Sequence, residues 1–122
     1  MSIYYLAVAN PDATPGCVST TSVVEEVLRR WPEARIELPA QGEFSVRWEA
    51  NALSGELFRD GQGISVQGDE RHVCEMVIAF RRMLGRDLTF TDAGYYGSVV
   101  VTDTMTADEL GAAYKGDLER NR

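Results

Sequence analysis

The chain has 122 residues, 44% of them hydrophobic and 25% charged, and nineteen acids against twelve basic residues leave a formal net charge of −7. That length suits a single domain, residues 1–122, with a core that needs no staples, and the composition lies well away from that of disordered chains. The acidic field repels phosphate backbones, which weighs against nucleic acid, and favours a protein partner with a basic surface.

The apolar run Ser2–Ala9 lacks a basic flank and is too short for a bilayer, and no later segment is long enough, so the expectation is a cytoplasmic protein with no membrane contact. Cys17 and Cys74 have no CxxC spacing. Reduced thiols are the default for such a pair, with a bridge between them left open.

The residues IYYLAVA, Ile3 to Ala9, form a continuous apolar stretch, the pattern of a central strand buried on both faces. Asn10 to Ser19 holds two prolines and a glycine and reads as a loop. Ser22 with Glu25 makes an S-x-x-E capping box, and Val23, Val24, Val27, Leu28 and Trp31 follow at helical spacing, predicting a first helix over Ser22–Trp31. Beyond Pro32 the period becomes two. Ala34, Ile36 and Leu38, then Phe44, Val46 and Trp48, predict a hairpin with Leu38 opposite Phe44, Ile36 opposite Val46 and a loop Pro39–Glu43.

A second hairpin puts Leu53, Leu57, Ile64 and Val66 on one face around Asp60–Gly63. From Asp69 a second helix carries the buried stripe Val73, Met76, Val77, Phe80, Met83 and Leu84 and stops at Gly85. Leu88–Thr91 and Tyr95–Val101 predict a third hairpin around Asp92, Ala93 and Gly94. Thr106 with Glu109 caps a short terminal helix, with fraying expected from Gly116 to Arg122. The order β-α-β-β-β-β-α-β-β-α, with short connections, predicts an α+β two-layer sandwich: a mostly antiparallel sheet with helices on one face.

Histidine is the residue type that ordinarily titrates near neutrality, and the chain has one, His72. His72 and Cys74 stand two apart on a helix, where side chains diverge, so they form no dyad. One histidine and two distant cysteines give no zinc spacing and the acids no EF-hand pattern, so no metal and no cofactor are expected. DGQGISVQG, Asp60 to Gly68, lacks phosphate-loop spacing and reads as a hairpin turn. Catalytic residues are therefore not assigned.

Two surface readings remain. Thr20, Thr21 and Ser22 at the start of the first helix are candidates for a small-molecule site, against the simpler role of helix capping. The acids Glu43, Glu49, Glu56, Asp60 and Asp92, with Tyr95 and Tyr96, are candidates for a partner-binding patch, against an ordinary solvated face and packed rings.

LTFTDAGYYGSVVV followed by TMTADEL, Leu88 to Leu110, is similar to the strand-turn-strand-helix endings of the small acidic immunity proteins encoded beside bacterial polymorphic toxins. That resemblance implies stoichiometric inhibition, in which an acidic surface steers onto a basic toxin domain and covers it, and it carries over no individual residue. Beside this protein-binding, non-enzymatic expectation stand two others: a small-molecule binder or enzyme using residues 10–22, and a structural homodimer joined through a strand edge or a hydrophobic face.

Overall fold

A computed structural model of the chain describes residues 3–9, 17–51, 53–92, 94 and 96–120. Ile3–Ala9 forms β1, which pairs antiparallel on both sides, with β5 (Gly63–Gly68) and β6 (Leu88–Asp92). With β2 (Arg35–Glu37), β3 (Phe44–Ala50), β4 (Leu53–Phe58) and β7 (Ser98–Val101), the described residues make one seven-stranded antiparallel sheet in the order β2-β3-β4-β5-β1-β6-β7. The helices are α1 (Thr20–Arg30), α2 (Glu70–Leu84) and α3 (Ala107–Arg120). The fold is the expected α+β two-layer sandwich.

Side-chain alternation sends Tyr5, Ala7, Val46, Trp48, Leu57, Ile64, Val66 and Phe90 to one face of the sheet. There they join Val23 and Val27 of α1, the long stripe of α2, and Leu110 and Tyr114 of α3 in a single core. Tyr5, Phe90 and Tyr114 cluster at its centre with ring centroids 5.2 to 5.6 Å apart. Trp48 lies flat over Gly55, where a Cβ would overlap its ring, so the glycine is what lets the indole reach the sheet.

No described element packs on the opposite face. β1 is interior to the sheet as its sequence suggests, but it is not buried on both faces: Tyr5, Ala7 and Ala9 are covered, while Leu6 is half-buried and Val8 is 37% exposed. The apolar run is real, but all three helices pack on the inner side, so no described element covers Val8.

The helices show which local signals hold. In α2, the Asp69 carboxylate caps the start by accepting from the Arg71 N–H at 3.0 Å, and Gly85 ends the helix at φ 75° in the left-handed region. In α3, Thr106 and Glu109 exchange the two bonds of a capping box at 3.0 and 3.2 Å. That helix runs to Arg120 and does not fray at Gly116, because Leu118 packs on the core and Asp117 accepts from the Ser98 N–H at 2.7 Å.

In α1, the cap is Ser19 and not Ser22: Ser19 Oγ accepts from the Ser22 N–H at 3.1 Å, so the helix begins at Thr20 and ends at Arg30. The first hairpin pairs Ile36 with Trp48, two residues away from the expected partner Val46. A slip of two preserves which face each side chain takes, so alternation cannot detect it. Gly42 at φ 105°, a register shift between Phe44 and Val46, and Arg59 donating to the carbonyls of Pro39, Gly42 and Phe44 shape the longer loop, and Leu38 is left 63% exposed instead of facing the core.

Candidate functional site

The candidate acids do not form one patch. Glu43 and Asp60 are exposed at one end of the sheet, where the Glu43 carbonyl accepts from the Arg59 N–H at 2.8 Å and the Asp60 carboxylate accepts from the Gln62 N–H at 2.9 Å. Glu49 and Glu56 stand on the uncovered face. Glu49 is the cross-strand neighbour of Arg35, and Glu56 pairs with Arg47 at 2.8 Å.

Asp92 and Tyr96 belong to the other end of the sheet. Asp92 is corrected from a surface residue to a buried one, 5% exposed on the helix side. Its carboxylate accepts from the N–H groups of Gly94, Tyr96 and Gly97 at 2.8, 3.1 and 3.0 Å and from the Tyr114 hydroxyl at 2.7 Å. Burial alone pushes an acid's pKa up, and here the four donors outweigh it and hold Asp92 below the usual carboxylate range. Asp92 is the hub of the β6–β7 connection.

Because that carboxylate draws in the N–H groups after it, the chain leaves the ladder. Strand β7 starts at Ser98 and not at Tyr95, and Tyr96 sits in the connection, 71% exposed. Tyr95 lies outside the described residues.

The hydroxyls at the start of α1 are engaged locally. Thr20 Oγ1 donates to Ser45 Oγ at 2.9 Å, Ser22 Oγ and Ser19 Oγ share a bond at 2.8 Å, and Thr21 is exposed. They cap the helix and tie it to β3. Most of the preceding loop, residues 10–16, lies outside the described residues.

His72 is half-buried on the first turns of α2, with Nδ1 at 3.4 Å from the Asp69 carboxylate. Cys74 is buried, and its thiol is pushed up to about 12 by that burial and by the neighbouring Glu70. Cys17 is exposed, and both thiols are free. Burial likewise drives the Tyr5 hydroxyl up to about 12 and raises that of Tyr114. Among the described residues, no group of three or more His, Cys, Asp or Glu is placed to hold a metal ion. No described helix is long and apolar enough to cross a membrane.

On the sheet face turned away from the helices the side chains form cross-strand rows, and Ser65 and Thr91 within them are buried. One row runs Glu37–Arg47–Glu56–Ser65–Leu6–Thr91–Ser98. Beside it, Phe44 and Phe58 pair with ring centroids 5.1 Å apart and lead to Gly63, Val8, Thr89 and Val100. Over β2–β4 the face is charged, with Arg35, Glu37, Arg47, Glu49 and Glu56 around an open hollow of about 590 Å³. Over β5, β1, β6 and β7 the described outward positions are Gly63, Ser65, Gln67, Leu6, Val8, Thr89, Thr91, Ser98 and Val100, none of them charged.

Reasoning from sequence placed Glu49 and Glu56 on an outer face but missed this division. Outward positions of four strands become neighbours only once the strand order is known. The one local sign was the doubly apolar stretch Ile3–Ala9. No family model, curated protein or solved structure matches the chain.

Proposed function

We propose that this chain is a stoichiometric, non-catalytic protein-binding module of the cytoplasm, an inhibitor in the manner of the immunity proteins that its stretch Leu88 to Leu110 resembles, with a basic toxin domain as partner. The observation that supports the reading is the sheet face on which no described helix packs, where the charged strands β2–β4 adjoin uncharged outward positions of β5, β1, β6 and β7. Interfaces of this kind keep charge out of the middle and at the rim, where it sets register and association rate.

The net charge of −7 supports a basic partner, since it accelerates encounter with a cationic surface and repels nucleic acid. Within the face, Glu49 and Glu37 meet the partner's cations and Glu56 is held in place by Arg47. The non-catalytic reading is supported by the absence of a nucleophile-and-base pairing in the sequence and by burial of the Cys74 thiol and the Tyr5 and Tyr114 hydroxyls, which raises these three groups away from nucleophile or base states at neutral pH.

The test is co-purification of the tagged chain from its native host, against Glu37→Lys/Glu49→Lys made in the same fold. A basic protein recovered at one-to-one ratio, bound at least tenfold more weakly by the variant and associating more slowly as salt rises, is the expected result. Recovery that ignores both the charge reversal and salt sinks the proposal.

A further inference from the structure

We infer that the open groove between α2 and α3, at Glu70 and Gly111, is a binding site for a short alkylammonium ion, carried by a free small amine or by a lysine side chain. The site belongs to the helical layer and rests on nothing argued for the sheet face.

The two helices leave a groove of about 460 Å³ between them, lined by the small residues Cys74, Ala107, Gly111 and Ala112 together with Glu70 and Lys115. Two independent observations meet there at one atom. The first concerns the Glu70 carboxylate. Its Oε2 stands 3.7 Å from Lys115 Nζ, while its Oε1 is buried and has no hydrogen-bond partner among the described residues. A buried carboxylate oxygen without a donor is costly, so the position favours an N–H that arrives from outside.

The second observation is Gly111. It lies inside α3, where glycine is unfavourable, and its backbone has no left-handed φ that would call for one. A Cβ placed there would meet nothing closer than Cys74 Sγ at 3.9 Å and Glu70 Oε1 at 4.0 Å. Helix packing therefore does not exclude a side chain, and the glycine keeps a methyl-sized space open in front of Glu70 Oε1.

Charge and lining select the ligand. Asp69, Glu70 and Asp108 outnumber Arg71 and Lys115 around the groove, and Arg71 pairs with Glu75 at 3.5 Å. At the Cys74 thiol the charge of Glu70 outweighs the opposing charge of Lys115. The groove is thus negative inside, which favours a cation over a neutral donor. A short alkyl chain rests on Cys74, Ala107 and Ala112 while its ammonium reaches Glu70 Oε1. Lys115, 68% exposed and loosely paired, moves aside for it.

Butylammonium chloride titrated into the isotope-labelled full chain and followed by amide NMR, with sodium chloride at matched ionic strength as control, tests this. Saturable shifts at the Cys74, Gly111 and Ala112 amides are expected, with a millimolar dissociation constant because the ligand is small. A capped lysine that binds at least as tightly assigns the site to a lysine side chain, and one that binds more weakly assigns it to a free amine. Glu70→Gln weakens binding at least tenfold. Gly111→Ala does the same while raising the melting temperature by a few degrees, since it fills the space and improves the helix, so loss of the ligand is separated from loss of the fold. Lys115→Gln removes the competing ammonium and tightens binding.

Shifts that sodium chloride or neutral butanol reproduces overturn the inference. So does a lack of saturation at tens of millimolar, binding that persists unchanged in Gly111→Ala or Glu70→Gln, or binding that is lost in Lys115→Gln. Each of these leaves the partner reading standing, since that is decided by Glu37 and Glu49.

Discussion

Asp92 shows what a single side chain does here. Its carboxylate takes four hydrogen bonds, three from the following backbone and one from Tyr114, 22 residues away, and so fastens the β6–β7 connection to α3. Asp92→Ala strands those donors in a buried place and is expected to cost about 3 kcal/mol, while Tyr114→Phe costs about 1 to 2 kcal/mol, both read from urea unfolding. The pH dependence follows from the lowered pKa. A carboxyl that holds its proton less tightly when folded stabilises fully above the unfolded value near 4, and loses that contribution as pH falls toward and through the lower folded value. Asp92→Asn should flatten this part of the acid limb; an acid limb identical to wild type refutes the assignment. In the sequence Asp92 is only a turn acid beside tyrosines, because its role depends on where a distant helix places a hydroxyl.

At the scale of elements, signals that act within one turn were legible and those that act between segments were not. Thr106 and Glu109 cap α3, and Asp69 and Gly85 bound α2, since each bond joins residues no more than four apart. The run Ser19-Thr20-Thr21-Ser22 offers several hydroxyls to one helix start, and the choice falls on Ser19, whose extended backbone turns its oxygen toward the Ser22 N–H. Ser19→Ala is therefore expected to lower stability by about 1 kcal/mol and Ser22→Ala by less than half as much, measured by denaturant titration. Equal losses, or the reverse order, would restore Ser22 as the cap. The first hairpin was readable in parity but not in register, because a two-residue slip keeps Ile36 and Trp48 on the core face and is decided by the loop that Arg59 ties down.

For the whole molecule, the consequence of one helical layer is an asymmetric sheet. Inner positions are closed against α1, α2 and α3, so Ile64→Ala opens a cavity and should cost about 2 to 5 kcal/mol. Val100→Ser, on the open side, should cost no more than about 1 kcal/mol. Thermal or urea unfolding of the two variants at low protein concentration checks the contrast, and equal losses would mean that the outer face is covered after all. Among the described residues the same asymmetry leaves uncharged outward positions on β5, β1, β6 and β7 beside the charged strands β2–β4.

The sequence by itself determined the element types and their order, the two-layer class, the inward set of the strands apart from Leu38 and Phe44, which the loop and the bulge of the first hairpin turn away from the core, and the caps of α2 and α3. These follow from hydrophobic period and from hydrogen bonds within a turn, both of which are local. Only the tertiary structure decided that Asp92 is buried, that Glu43 and Asp60 lie apart from Glu49 and Glu56, and that β5, β1, β6 and β7 share an uncharged outer face. Those outcomes depend on strand order and on the side from which the helices pack, which are settled by contacts between residues tens of positions apart, and the doubly apolar stretch Ile3–Ala9 is the one local trace of them.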